Sequence, residues 1–280
     1  MTTKDREFEF TKKDFDFLRT ISNSRTGIVV SDDKFDMFYA RLSRRLRKLG
    51  LTSFKQYCGF IEADDSGEEV LELVNAITTN LTAFFRENHH FEYLRDTVLP
   101  KLLIENKDER KIRIWSAGCS TGEEPYSLAI TLKENLPANL HWDTQILATD
   151  IDSNVLAKAS KGVYAEDRVA DMPKNVLRNW FMRGKGENAG SVRVKPDARS
   201  LIKFGQLNLM DNWSVGDVKD VIFCRNVVIY FDRESKANLI DRYADNLKDG
   251  GYLFIGHSES LYKITDRFDL IGNTIYQKVR

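Results

Sequence analysis

Cysteine, histidine and proline are all scarce in this chain, and each shortage excludes something. Three cysteines (Cys58, Cys119, Cys224) are odd in number and far apart. They make neither a disulfide framework nor a CxxC metal site, and a reducing cytoplasm is the expected home. The four histidines (His89, His90, His141, His257) do not fall at zinc-ligand spacing, so no metal is expected. No apolar run approaches the ~18 residues of a membrane span. The opening stretch MTTKDREFEFTKKDF lacks the apolar core of a signal peptide. Charge of either sign is not in excess: 42 Lys and Arg balance 42 Asp and Glu. That balance removes any general pull toward nucleic acid or anionic lipid, and leaves charge recognition to local clusters.

What is present begins with helix. Residues 1 to about 88 carry no proline and little β-branched alternation, and read as helical. In the stretch Asp32 to Leu49, Phe35, Phe38, Leu42, Leu46 and Leu49 share one face, and Gly50 supplies a C-cap. Arg41, Arg44, Arg45 and Lys48 form an adjoining basic stripe, with no acidic residue between Asp36 and Glu62. Such a stripe is either a solvated face favoured by the helix dipole or a docking surface for an acidic macromolecule. Farther on, VNAITTNLTAFFRENHHF sets Asn80, Thr82 and Arg86 among Leu81, Phe84 and Phe85. A core helix would not interleave them so; a guanidinium can fork onto a carboxylate, and an amide beside a hydroxyl can grip a polar ligand edge. Helix capping is the plainer alternative.

From about Arg110 the pattern alternates. Strands are expected at Ile112–Ser116, Gln145–Thr149, Val221–Cys224, Tyr252–Gly256 and Thr274–Gln277. Helices are expected at Glu124–Leu136, Ser153–Ala159 and Glu234–Leu247. This is an α/β pattern, a doubly wound, mostly parallel sheet with ligands beyond the carboxyl ends of its strands. The first strand runs into the small-residue turn SAGCSTG and then a helix start, where glycine allows close backbone approach. Thr121 and Glu124 have capping-box spacing, which would leave Glu123 for a ligand. Asp150 ends the next strand, where an acceptor for ribose hydroxyls belongs. Two further loops, around Asn208-Leu209 and Arg225-Asn226, also follow strand ends. Three glycines (Gly184, Gly186, Gly190) before Ser191-Val192-Arg193-Val194 suggest an inserted antiparallel hairpin over about 179–204. It is a surface excursion or an edge for a partner peptide.

With these pieces assembled, the chain closely resembles the CheR family of chemotaxis receptor methyltransferases over essentially its whole length. TTNLTAFFRENHHF, WSAGCSTGEEPYS, ATDID, FCRNVVIYFD and GHSES carry the likeness, in order and at the right spacing. The resemblance implies a small all-helical N-terminal domain (1–78) and an S-adenosylmethionine-dependent methyltransferase domain (79–280). The latter would include an inter-domain segment (79–91) and the inserted antiparallel β subdomain. It implies methylation of glutamate side chains in the cytoplasmic domains of membrane chemoreceptors. Asn80, Thr82, Arg86, Glu123, Asp150, Asn208, Leu209, Arg225 and Asn226 would then contact the cofactor. Arg86 and Tyr230 would stand beside the transferred methyl group. The stripe Arg41, Arg44, Arg45, Lys48 would face the receptor, and the hairpin would take a receptor C-terminal peptide. Cys119 and Cys224, flanking the expected ligand site, read as small buried residues.

A glutamate carboxylate is ionised at neutral pH and needs no general base, which suits a chain with no evident His–carboxylate pair. The rivals fare worse. A nicotinamide dehydrogenase would want GxGxxG, and a nucleic-acid methyltransferase an NPPY-type loop and basic charge. A module that merely binds the cofactor is separable only by assay. Nothing in the sequence demands more than a monomer.

Overall fold

The computed structural model describes residues 6–280, so the first five residues of the expected helical region lie outside the described residues. The chain divides into two compact units. One ends at Thr79 and takes in Tyr230–Ser235; the other comprises Asn80–Ile229 and Lys236–Arg280.

The first unit is built on α1 (Lys12–Thr26), α2 (Phe35–Leu49), α3 (Phe54–Glu62) and α4 (Glu68–Ile77). A capping box between Thr11 and Asp14 starts α1, and Gly27 ends it at a φ of 71°. Gly50 closes α2 in the same left-handed conformation. The apolar stripe of α2 is the core face: Phe38, Leu42 and Leu46 are fully buried with Phe15, Leu18, Phe54 and Tyr57. Phe35 and Leu49 pack at its margin. Phe10, from the extended stretch before α1, places its ring 4.2 Å from that of Phe54.

The second unit opens with α5 (His89–Tyr93), a π-helical turn over Leu94–Val98, and α6 (Leu99–Glu105). Then come β1 (Lys111–Ala117), α7 (Glu123–Asn135), β2 (Asp143–Asp150) and α8 (Ser153–Lys161). Next are β3 (Val163–Ala165), α9 (Lys174–Trp180), β4 (Phe181–Arg183), β5 (Ser191–Val194), α10 (Pro196–Arg199) and β6 (Ile202–Gln206). The chain ends with β7 (Lys219–Cys224), α11 (Arg233–Asp245, whose first three residues cluster with the other unit), β8 (Leu247–Ile255), β9 (Phe268–Gly272) and β10 (Ile275–Lys278). Seven strands form one sheet in the order β6-β2-β1-β7-β8-β10-β9. β10 runs opposite to the other six strands. Strand order reverses between β1 and β7, so the ligand crevice of such a sheet lies past the carboxyl ends of β1, β2 and β7. β7 is buried along its whole length, as a central parallel strand should be.

Two expectations need correction. The insertion is not a two-stranded hairpin over 179–204: β3 joins β5 and β4 in a three-stranded antiparallel sheet. Its last residues instead begin β6, which pairs in parallel with β2 from Ile202↔Ile146 to Gln206↔Asp150. As an edge strand with one neighbour, β6 is only partly buried and lacks the apolar run of its partners. β9, the opposite edge, is likewise mostly exposed and carries no apolar run that would mark it as a strand.

Candidate functional site

The turn after β1 is bent by its own backbone. The amides of Gly118 and Cys119 both donate to the Thr149 carbonyl, at 2.8 and 2.9 Å, tying the turn to the end of β2. Gly118 sits at a φ of 84°, and a Cβ there would collide with a methyl of Val227. Gly122, at a φ of 96°, caps α7; a Cβ there would lie 2.8 Å from that of Ala159 and 2.9 Å from the Tyr164 hydroxyl. Both positions therefore require glycine. Ser120 between them is left-handed, and its amide donates to Asp150 Oδ2 at 2.7 Å. Asp150 Oδ1 accepts from the Asp152 amide at 3.0 Å. Burial raises the Asp150 pKa, with these backbone donors opposing.

The capping box expected at Thr121 and Glu124 does not form. The helix cap is Gly122, without a side-chain bond. Glu124 turns inward instead, accepting from Ser116 at 2.7 Å and from Arg225 Nη1 at 3.2 Å. A buried guanidinium outweighs a cap amide as a partner for that carboxylate. Thr121 donates to Glu123 Oε2 at 2.6 Å, and Arg168 Nη2 donates to Glu123 Oε1 at 2.6 Å. Glu123 itself is almost fully buried.

The segment that follows α4 reaches the same strand ends. Asn80 Nδ2 donates to Asp152 Oδ2 at 2.8 Å, and the Asn80 carbonyl accepts from Ser120 Oγ at 3.2 Å. The Thr82 carbonyl accepts from Arg168 at 2.6 Å. Phe84 packs edge-on against Tyr164 and Phe181, and the Phe85 amide donates to Ser127 Oγ at 2.9 Å. Arg86 donates to the Leu81 carbonyl at 2.9 Å, closing the loop on itself, and its own carbonyl accepts from Arg225. Phe85 and Glu87 hold positive φ angles of 51° and 54°, uncommon for such side chains.

Arg225, just past β7, is buried between Glu124 and Glu87, the latter at 3.1 Å. Glu87 also accepts from His257 Nδ1 at 2.7 Å. A His–carboxylate pair thus exists that the sequence does not make evident, joined by tertiary approach across distant segments. Burial favours the neutral form of Glu87, but the His257 hydrogen bond and the Arg225 charge prevail and bring its pKa down to about 2. Burial, reinforced by the Arg225 charge, lowers His90 to about 4. Asn226 is left-handed at a φ of 58°; its amide donates to buried Glu259 at 2.9 Å, as does that of Ile229 at 3.2 Å. Gly256 permits this, since a Cβ would lie 2.8 Å from the Asn226 nitrogen. Beyond β6, Asn208 bonds Asp211 at 3.0 Å and accepts from the Met210 amide. The Leu209 side chain is buried, and its carbonyl accepts from Trp213 and Arg242.

Ser120 thus joins Asn80 to Asp150 and Arg168 joins Thr82 to Glu123 at the ends of β1 and β2, Arg225 pairs with Glu124 and Glu87 just past β7, and Asn208 and Leu209 lie just past β6. Tyr230 clusters with the helical unit, where its carbonyl accepts from the Val29 amide at 2.8 Å. In that unit the basic stripe is not uniform. Arg41 donates to the Ile77 and Thr78 carbonyls at 2.6 and 2.7 Å. Arg45 is forked onto buried Glu69, 2.9 Å from its Nε, with Glu72 beyond it. Only Arg44 and Lys48 of the four are exposed to solvent. Residues without an expected role do much of the holding: Arg168, outside every motif, with Asp152 of ATDID, Glu87 of TTNLTAFFRENHHF, Glu259 and His257. Glu259 and His257 do lie in GHSES, which was a signal without an assigned role. Cys119 and Cys224 are fully buried, and burial pushes both thiols up.

Residues 13–78 match the all-alpha domain of CheR methyltransferases, and residues 80–277 match their SAM binding domain. The chain belongs to the CheR methyltransferase family. Chemotaxis protein methyltransferase 2 of Pseudomonas aeruginosa is 44% identical over 272 residues, covering 97% of this chain and 95% of that protein. The chemotaxis protein methyltransferase of Escherichia coli is 43% identical, covering 90% and 86%. That of Borreliella burgdorferi is 39% identical, covering 93% and 94%. The chain is accordingly an S-adenosylmethionine-dependent methyltransferase. Its residues suit that cofactor. Two glycines that tolerate no Cβ let the turn after β1 fold tightly against Val227, Ala159 and Tyr164, and a buried carboxylate ends β2 beside it. Among the described residues, no helix is long and apolar enough to cross a membrane.

Proposed function

We propose that this enzyme methylates the side-chain carboxylates of specific glutamates in chemoreceptor cytoplasmic domains, in the cytoplasm, giving glutamate methyl esters. The observation that carries the reading is the meeting of the glycine turn, Glu123 and Asp150 at the switch point of the sheet, in a chain so similar to chemotaxis protein methyltransferases. S-adenosylmethionine, when bound, supplies a methyl group activated on a sulfonium. Asp150 is assigned to the ribose hydroxyls: its backbone donors occupy one site on each oxygen and leave acceptor capacity on both. Glu123, Asn80, Thr82 and Arg225 line or support the turn, and Asn208, Leu209 and Asn226 take the adenosine end. Arg86 positions a carboxylate. A bidentate grip on the attacking oxygen would blunt it, so its anchorage to the Leu81 carbonyl favours a positioning role. Tyr230 is assigned to the methyl-transfer pocket.

The acceptor carboxylate arrives ionised, so alignment and exclusion of water are what the protein supplies. The Glu87–His257 pair need not be a base, and the Arg225 contact marks it as a structural tie. Arg44 and Lys48 are the receptor-facing cations, and the three-stranded antiparallel sheet offers an edge for a receptor peptide. The test is incubation with methyl-labelled S-adenosylmethionine and receptor cytoplasmic fragments. Base-labile label on glutamate is the expected result; label elsewhere, or none, would defeat the reading.

A further inference from the structure

Glu123 and Thr82 come from different parts of the chain, and one nitrogen joins them. Arg168 Nη2 donates to Glu123 Oε1 and to the Thr82 carbonyl, each at 2.6 Å. Arg168 lies in the turn Glu166–Val169, directly after β3 of the antiparallel sheet. The same strand sends the Tyr164 hydroxyl to the Thr121 carbonyl at 2.8 Å, against the Cβ-free face of Gly122. The β3 stretch thus forms a wall of the glycine turn at two points, one neutral and one ionic.

Most ion pairs with an exposed arginine do little. This one is asymmetric: Arg168 retains 39% of its side-chain exposure, while Glu123 retains 2%. Without Arg168, the Glu123 carboxylate keeps the Thr121 hydroxyl as its side-chain partner, and the Thr82 carbonyl loses its donor. A nearly buried carboxylate with one neutral donor would turn or recruit water, and the 80–88 loop would lose its tie to the turn.

We propose that Arg168 is a positioning residue for the cofactor site. It holds the Glu123 carboxylate and the Thr82 backbone in one arrangement and so sets affinity for S-adenosylmethionine from within the antiparallel sheet. The proposal rests on the placement of Glu123 at the cofactor. It assigns this sheet a part in cofactor binding as well as any part in receptor docking.

The test is a double-mutant cycle on the full chain, reading S-adenosylmethionine affinity by calorimetry and KM against kcat with receptor fragment. Arg168→Met should weaken affinity about tenfold, the worth of a lost charged hydrogen bond, and raise KM for the cofactor far more than it lowers kcat. Arg168→Lys should restore part of the affinity, because a single nitrogen makes both bonds. In a Glu123→Gln background, Arg168→Met should cost much less than in the parent. Affinity of Arg168→Met within about twofold of the parent, or an equal loss in both backgrounds, would overturn the proposal. Should Arg168→Met not fold, Arg168→Gln takes its place in the cycle, and an affinity within about twofold of the parent would overturn the proposal as well. An unchanged affinity for Glu123→Gln alone would remove the placement of Glu123, and with it the route by which Arg168 acts.

Discussion

Replacing Glu87 with glutamine should destabilise the second unit in a manner that depends on pH. Glu87 lies between Arg225 at 3.1 Å and His257 Nδ1 at 2.7 Å, and its pKa falls from the ordinary 4.5 to about 2 against the pull of burial. The stability a depressed carboxylate contributes is fully present above its unfolded value of 4.5 and is lost as pH falls through about 2. At about 1.36 kcal/mol per pH unit the shift corresponds to roughly 3 kcal/mol, and solvent at the exposed His257 side reduces this to about 2. Glu87→Gln keeps the size and the left-handed backbone but removes the charge. Arg225 would retain Glu124 and the Arg86 carbonyl. Urea unfolding followed by tryptophan fluorescence is the assay, because Trp115, Trp142, Trp180 and Trp213 all lie in the second unit. The parent should exceed the variant by about 2 kcal/mol at pH 7, and roughly half of that difference should be gone by pH 3. His90, held neutral to about 4, has its Nδ1 3.5 Å from Glu87 Oε2 and titrates in the same window, so the acid limb of the comparison is that of the coupled pair. A difference absent at pH 7, or constant down to pH 3, would refute the account.

Asp150→Ala should weaken S-adenosylmethionine binding by about tenfold or more while the fluorescence transition survives; Asp150→Asn, which keeps an acceptor for the Ser120 amide, should fold better. Calorimetry showing unchanged affinity in both would remove the ribose assignment. In the helical unit, Arg44→Glu with Lys48→Glu should impair receptor methylation and spare cofactor affinity. Arg45→Glu should instead unfold that unit, since stranding buried Glu69 costs about 3–5 kcal/mol; circular dichroism separates the two. Gly256→Ala would press a methyl group to 2.8 Å from the Asn226 nitrogen, displacing the loop that Glu259 holds. Its kcat should fall while far-UV circular dichroism holds, and parental kcat would show that the loop tolerates the shift.

What could be read from the chain is what local rules decide. The turn after β1 was legible because a strand, two glycines and a helix start are neighbours in sequence, and each glycine is required by its own φ and its own near contact. Asp150 was legible because strand ends are local, and the apolar stripe of α2 because helical period is. What failed depended on distant partners. Thr121 and Glu124 have the spacing of a capping box, yet Arg225, from beyond β7, draws the carboxylate inward. The four cations of the basic stripe on α2 look alike in sequence; acidic Glu69 and the carbonyls at the end of α4 then claim two of them. Arg168 belongs to no motif at all, and its meaning comes only from the antiparallel sheet that places it beside the glycine turn. Motifs thus located the groups that suit a cofactor and their nearest backbone donors, while charged partners such as Arg168 for Glu123 and Arg225 for Glu124 come from distant segments. The reason is physical: a carboxylate or guanidinium buried at such a site must be paired, and the chain is free to supply that partner from whichever segment the fold brings near.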